Sequence, residues 1–282
     1  VASVFLISLI VIAICWPFVS GLGNQHSDAQ FHAPSAQYWF GTDVHGRDLF
    51  GRVLAGARIS LLVGLVGALV SLVIGVFWGA TAGLLGGHWD NWMMRTVDIL
   101  YSLPSIIFVI VIITTLEGLI QGWVESIFGG DGSETARHIL LYAGLGAVSW
   151  LTMARIVRGQ VLALREQQFV EASRSLGLGT WPILWRHILP NVFGVVIVYL
   201  TLTLPAVVLY ESFLSYLGLG IQPPHASLGS LIAEGAAQIN PVRVYWWMIL
   251  FPAGGLAALL MALNFIGDGL RDVFDPKSTK ES

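Results

Sequence analysis

Charge is what this chain has least of. Only 11% of its 282 residues are Asp, Glu, Lys or Arg, against 55% that are hydrophobic. Soluble domains carry roughly a quarter charged residues, so this composition is built for lipid. Cysteine is almost absent: Cys15 alone, inside an apolar run. No disulfide can form within the chain, and a thiolate metal cluster is excluded. The seven histidines, His26, His32, His45, His88, His138, His187 and His225, show no HExxH-like spacing. His26 and His32 are the one pair that could in principle meet at a metal. There is no G-x-x-x-x-G-K-[ST] phosphate loop, and nothing resembles a Ser/His/Asp or Cys/His constellation. No catalytic residue, cofactor, metal or nucleic-acid partner is therefore expected of this chain. Strand alternation is missing, which argues against an outer-membrane barrel. The first apolar run lacks a basic flank and a small-residue cleavage site, so it does not read as a signal peptide. A short cytosolic segment is expected ahead of Val1.

Long apolar runs are what the chain does have. A helix needs about 20 mainly apolar residues to cross the hydrocarbon core. Six windows qualify or nearly so: Val4 to Val19, Ile59 to Leu85, Pro104 to Leu116 (extending back toward Ile99), Ile139 to Val157, Val192 to Leu217, and Trp246 to Ile266. Backbone polar groups inside a bilayer must satisfy one another, so the windows are expected to be helices. The expectation is one all-α polytopic domain over residues 1–282 with six transmembrane helices. Tryptophans near the window ends, such as Trp78, Trp89, Trp92, Trp246 and Trp247, suit interfacial anchoring.

Orientation is set by the basic residues. With six spans both ends share a side with loops 86–103 and 158–191. That side holds Arg95, Arg155, Arg158, Arg165, Arg174, Arg186, Arg271, Lys277 and Lys280. The other holds Arg47, Arg52, Arg58, Arg137 and Arg243, with Asp43 and Asp48 placed to offset the first two. Both ends are therefore expected in the cytosol, and segments 20–57, 117–138 and 218–245 outside. Segment 117–138 is acidic, with a GGDG turn at 129–132 and an apolar stretch, Ile120 to Phe128, that suits a short interfacial helix.

Inside the windows a few residues stand out. Gly64, Gly67, Gly75, Gly79 and Gly83 fall partly at fourfold spacing, which lets helices approach closely in lipid. Packing within the chain is the first reading, and a subunit or pathway face the second. Pro205 is expected to kink the fifth window, as a gate hinge or as a plain bend. Glu211 is the only acid well inside that window. Either it lines a translocation path, or it hydrogen-bonds to a neighbouring helix. Asp268 and Arg271 are spaced to pair along the sixth.

The densest signal is Glu171 to Pro190, EASRSLGLGTWPILWRHILP. A helix starting near Gln168 puts Glu171 and Ser175 on one face and Phe169, Ala172 and Leu176 on a neighbouring apolar stripe. Such a stripe can lie in a partner's groove. Gly177 permits a sharp turn because glycine tolerates positive φ. Gly179, Pro182 and Pro190 punctuate the stretch between that turn and the fifth window.

The spacing of Glu-Ala-Ser, Gly177 and His-Ile-Leu-Pro resembles the EAA loop of ATP-binding-cassette importer permeases. Ser173 replaces a commoner alanine, and His187 a commoner aliphatic residue. GTDVHGRDLFGRVLAGARISLLVG (41–64) reads from physics alone as a salt-bridged rim. It is similar, however, to the lead-in segment of the C-type subunits of dipeptide and oligopeptide permeases, the oligopeptide branch above all. GGHWDNWMMRTVDILYSLPS, SWLTMARIVRGQ, ESFLSYLGLG and NFIGDGLRDVFDPK continue the likeness over nearly the whole chain. The loop at 117–138 is longer than is usual there.

The resemblance implies a type I importer permease fold, MetI-like, in a bacterial inner membrane. It implies a related B-type permease, two cytosolic ATPases that bind the ATP and Mg, and an extracytoplasmic peptide-binding protein as partners. Residues 165–190 become the coupling loop, with Phe169, Glu171, Ala172, Ser173, Leu176 and Gly177 at the ATPase interface. Pro205 and Glu211 become path or gate candidates. Cargo alternatives are dipeptides, glutathione-like peptides or nickel. An ion-coupled secondary transporter would leave the loop unexplained, since only Glu211 and Pro205 point that way.

Overall fold

A computed structural model of the protein describes residues 27–128, 133–221 and 225–274. The window Val4 to Val19, Cys15, His26, the GGDG turn, Lys277 and Lys280 lie outside them, as do the side chains of Glu134, Arg137 and His138. Among the described residues the chain is helical, and its one β feature is an isolated bridge between Thr42 and Asp48.

Helix α1 (Leu49–Leu85) starts well before the apolar window. The cause is Asp48, whose carboxylate accepts the Gly51 N–H at 2.9 Å and satisfies one of the unpaired donors of the first turn. Next in order come α2 (Gly87–Tyr101), α3 (Ser105–Phe128), α4 (Ser133–Arg165), α5 (Gln168–Ser175), α6 (Thr180–Tyr216), α7 (Leu228–Ala236) and α8 (Trp247–Phe274). Helices α1, α3, α6 and α8 are long and apolar enough to cross a membrane. They fall on the second, third, fifth and sixth windows. Helix α4, 33 residues long, falls on the fourth.

Two local expectations change. The stretch Ile120 to Phe128 is no separate short helix; it continues α3 without a break. Pro182 and Pro190 do not interrupt the chain either, because both lie inside α6. Pro182 sits in the first turn, where its missing N–H would have no partner. Pro190 comes just after a π-helical turn, Leu184–Ile188, in which the Leu189 N–H reaches back to the Leu184 carbonyl. That wider turn changes which carbonyls are paired, and the Asn191 side-chain amide covers the His187 carbonyl at 2.6 Å.

The glycines of α1 are packing sites. A Cβ on Gly75 would strike Met153, one on Gly79 the Ala154 backbone, and one on Gly83 Val161. Gly64 and Gly67 instead face Val208 and Val207 of α6. Helix α1 is thus clamped between α4 and α6 by the absence of side chains, the packing that small residues allow in lipid.

Helix α2 is strapped to α4 by two ion pairs. Arg158 meets Asp90 at 2.5 and 2.7 Å, and Arg155 meets Asp98 at 2.8 Å. The Asp268–Arg271 pair does not form: both side chains are exposed, and no ion pair joins them among the described residues.

Candidate functional site

Helix α5 is only eight residues long, too short to hold itself together in water. Tertiary contact and a formal end-cap hold it instead. On its inner side Val170 is fully buried among Val157 and Val161 of α4 and Ile183, Leu184 and Ile188 of α6. Ser173 lies on the same side, and its hydroxyl donates to the Phe169 carbonyl at 2.7 Å. A serine is therefore accommodated where an alanine would also fit. At the far end Gly177 adopts φ 83°, the left-handed region where a Cβ is penalised. The Leu178 N–H returns to the Ser173 carbonyl and the Gly177 N–H to the Arg174 carbonyl. This is the Schellman arrangement, which consumes the last carbonyls of a helix.

The outer side is the stripe read from the sequence. Phe169, Ala172 and Leu176 are all exposed, Leu176 by 81%. Glu171 and Ser175 are exposed beside them, and Trp181 and Trp185 extend the surface onto α6. The structure brings Phe169, Glu171, Ala172, Leu176 and Gly177 to one exposed surface and places Ser173 beneath it. The trailing turn of α4 is fixed to the same body, since Arg165 donates to the Gly83 carbonyl at 2.9 Å.

Glu211 is buried to zero exposure. Its carboxylate accepts hydroxyls from Ser60 of α1 at 2.7 Å, Ser215 at 2.7 Å and Ser212 at 3.3 Å. Two of these serines relay further: Ser60 Oγ accepts the Leu228 N–H and Ser215 Oγ the Ile221 N–H. Glu211 thus ties the turn after α6 and the start of α7 to the body. Pro205 is buried in the interior of α6. Neither lines the cleft of about 430 Å³ that opens between the α2–α3 turn, α4 and α6.

One cluster is only partly legible in the sequence. Asp43, expected with Asp48 to offset Arg47 and Arg52, is fully buried and pairs with both arginines at 2.6 Å. Arg52 in turn grips Glu234 of α7 through both terminal nitrogens, at 2.5 and 2.9 Å, across 182 residues of sequence. Asp48 is not part of it. Burial alone would raise the Asp43 carboxyl; the Arg47 and His45 N–H groups and the two guanidinium charges outweigh it and hold it below the ordinary range. Asp48 shifts upward, because burial there outweighs the N–H donors of Gly51 and Phe50. Nothing local in the sequence marks Glu234 as a partner.

A bundle of long apolar helices with a capped amphipathic helix exposed beside it is the architecture of a multi-pass membrane protein. The chain belongs to the family of binding-protein-dependent transport system inner membrane components, which matches residues 71–280. It is 45% identical over 282 residues to the oligopeptide transport system permease protein OppC of Escherichia coli K12, covering 98% of this chain and 86% of that protein. It is 43% identical to OppC of Haemophilus influenzae, over 98% of this chain and 84% of that protein. The dipeptide transport system permease protein DppC of Bacillus subtilis is 42% identical, over 96% and 79%. An inward-facing structure of the MetNI methionine ABC transporter superposes with a TM-score of 0.59 at 21% identity, over 80% of this chain and 98% of that one. That likeness establishes the type I permease fold.

Proposed function

We propose that this chain is the non-catalytic permease subunit of an ATP-driven oligopeptide importer and forms half of its translocation pathway. The observation that carries the coupling role is helix α5: a rigidly seated base beneath an exposed apolar stripe, with no partner for that stripe among the described residues. A cytosolic ATPase is the partner it suits, and Phe169, Glu171, Ala172, Leu176 and Gly177 are the contact residues, with Ser173 as the seat. ATP binding and hydrolysis, with Mg, belong to two such ATPases. Their closure pushes α5, and α5 moves the body through Val170 and its neighbours on α4 and α6. The pathway then alternates between its two faces. Pro205 serves as a flexible point of α6 during that motion, and Glu211 holds the far end of α6 together.

In this reading the α5 end faces the cytosol, together with both chain ends. The segments 20–57 and 117–138 face outward, where an extracytoplasmic peptide-binding protein docks. A related B-type permease supplies the other half of the pathway. Peptide cargo is supported by the names of the relatives, the oligopeptide branch ahead of the dipeptide one.

The test is purification of the chain from detergent-solubilised membrane with its companions, and then peptide uptake in proteoliposomes. A second permease, two cassette ATPases and ATP-dependent uptake are expected. A chain that purifies alone and transports on an ion gradient without ATP would replace this reading with a secondary transporter.

A further inference from the structure

The cleft of about 430 Å³ is lined by no charged residue. It is walled by Val148 and Thr152 of α4, Tyr199 and Tyr210 of α6, and Leu100, Tyr101 and Leu103 of the α2–α3 turn. Seven of its lining residues nonetheless carry hydroxyls: Tyr101, Ser105, Ser149, Thr152, Tyr199, Thr203 and Tyr210. Hydroxyls without partners are costly against hydrocarbon. The lipid-suited alternative is visible on α1, whose exposed stripe Leu62, Leu65, Leu69, Val73 and Phe77 is entirely apolar. The cleft is therefore made for something polar.

The hydroxyls divide by role. Ser149 donates to the Leu145 carbonyl at 3.0 Å and Thr203 to the Tyr199 carbonyl at 2.7 Å. Their protons are committed to their own helices, and their lone pairs are left as acceptors. No hydrogen bond engages the Tyr199 or Tyr210 hydroxyl among the described residues, so these remain donors. A wall offering both acceptors and donors at low polarity matches a chain of alternating N–H and C=O groups. At its rim Arg155 lies 4.2 Å over the Tyr101 ring, with its charge met by Asp98.

We propose that this cleft is a wall of the translocation path that reads peptide backbone and ignores side-chain charge. The proposal rests on the peptide-import reading above and deepens it. A fixed charge on this wall would trap peptides of opposite charge and repel those of like charge. Hydroxyls pair with the one element every peptide shares.

The experiment uses the whole complex in proteoliposomes, with radiolabelled trialanine, trilysine and triglutamate. Tyr199→Phe together with Tyr210→Phe is expected to lower uptake of all three by a similar factor, about threefold to tenfold, at unchanged complex yield. Placing p-benzoylphenylalanine at Tyr199 is expected to give light-dependent adducts with trialanine, whereas the same probe at Val73 gives none. Unchanged uptake, a loss confined to one peptide charge, or adducts only with lipid or the companion permease would overturn the proposal. Should the phenylalanine variants fail to assemble, the Tyr199 adduct alone decides. Failure of the parent complex to take up any peptide would remove the import reading itself, and this one with it. Peptide uptake with a silent cleft removes only this one.

Discussion

At the scale of single residues, Gly177 is the sharpest test of coupling. Its φ of 83° is one that a β-branched residue resists, and nothing lies within 4 Å of where a Cβ would stand. Within this chain, any defect of Gly177→Val therefore comes from the backbone and not from an internal clash. Strain of roughly 1–3 kcal/mol at this position opens the Schellman cap and lets the end of α5 wander. ATP hydrolysis by the assembled complex should persist while uptake falls, and Gly177→Ala should show the same effect more weakly. Wild-type coupling in the valine variant would remove α5 from the mechanism.

Glu211 makes the opposite kind of claim. Three serine hydroxyls point at its carboxylate, and an amide offers one oxygen instead of two. Glu211→Gln should cost about 1–3 kcal/mol and lower complex yield and uptake in parallel. Reduced uptake at full yield, measured by size-exclusion of the solubilised complex, would return Glu211 to the pathway.

Asp43 gives a pH signature. Its folded carboxyl titrates below the ordinary value of 3.8. The stability it contributes is present above that value and lost as pH falls through the lowered one. Asp48 acts with the opposite sign, so the contribution is read as a difference. The thermal stability gap between the parent and Asp43→Asn should be wide at neutral pH and close on acidification. A buried pair broken on one side costs roughly 3–5 kcal/mol. A gap unchanged at low pH would show that the cluster does not depend on the Asp43 charge.

At the scale of elements, legibility tracked range. The spans and α5 were readable because their signals are local: apolar length for the one, spacing and a glycine for the other. The stripe Phe169, Ala172 and Leu176 came from the same periodicity. What escaped was the continuity of α6 through Pro182 and Pro190, since a π-helical turn leaves no mark in composition. The merging of Ile120 to Phe128 into α3 escaped too, because no breaker separates them. The Arg52–Glu234 pair was hidden by its separation along the chain. The α1–α4 contact carries its own prediction. Gly79 has no room for any side chain against Ala154, so Gly79→Leu should prevent close approach and abolish stable expression. The same change at Gly118 of α3, which faces open space, should be tolerated. Equal expression of the two variants would undo the clamp.

At the scale of the whole molecule, one hydrophobic cluster joins α1, α4, α5 and α6 at the α5 end, and another joins α1, α6, α7 and α8 at the other. Helices α1 and α6 belong to both. In the proposed mechanism, a push on α5 would reach the two helices that also carry the far end.

The Arg52 clasp bears on how such a chain is made. Arg52 leaves the ribosome early and Glu234 late, with most of the bundle synthesised in between. Until then the guanidinium has only Asp43 for company. The α1 start is therefore expected to gain its second clasp only once α7 has been made. A nascent chain halted before Leu228 should leave segment 27–48 open to protease, and one extended past Ala236 should close it.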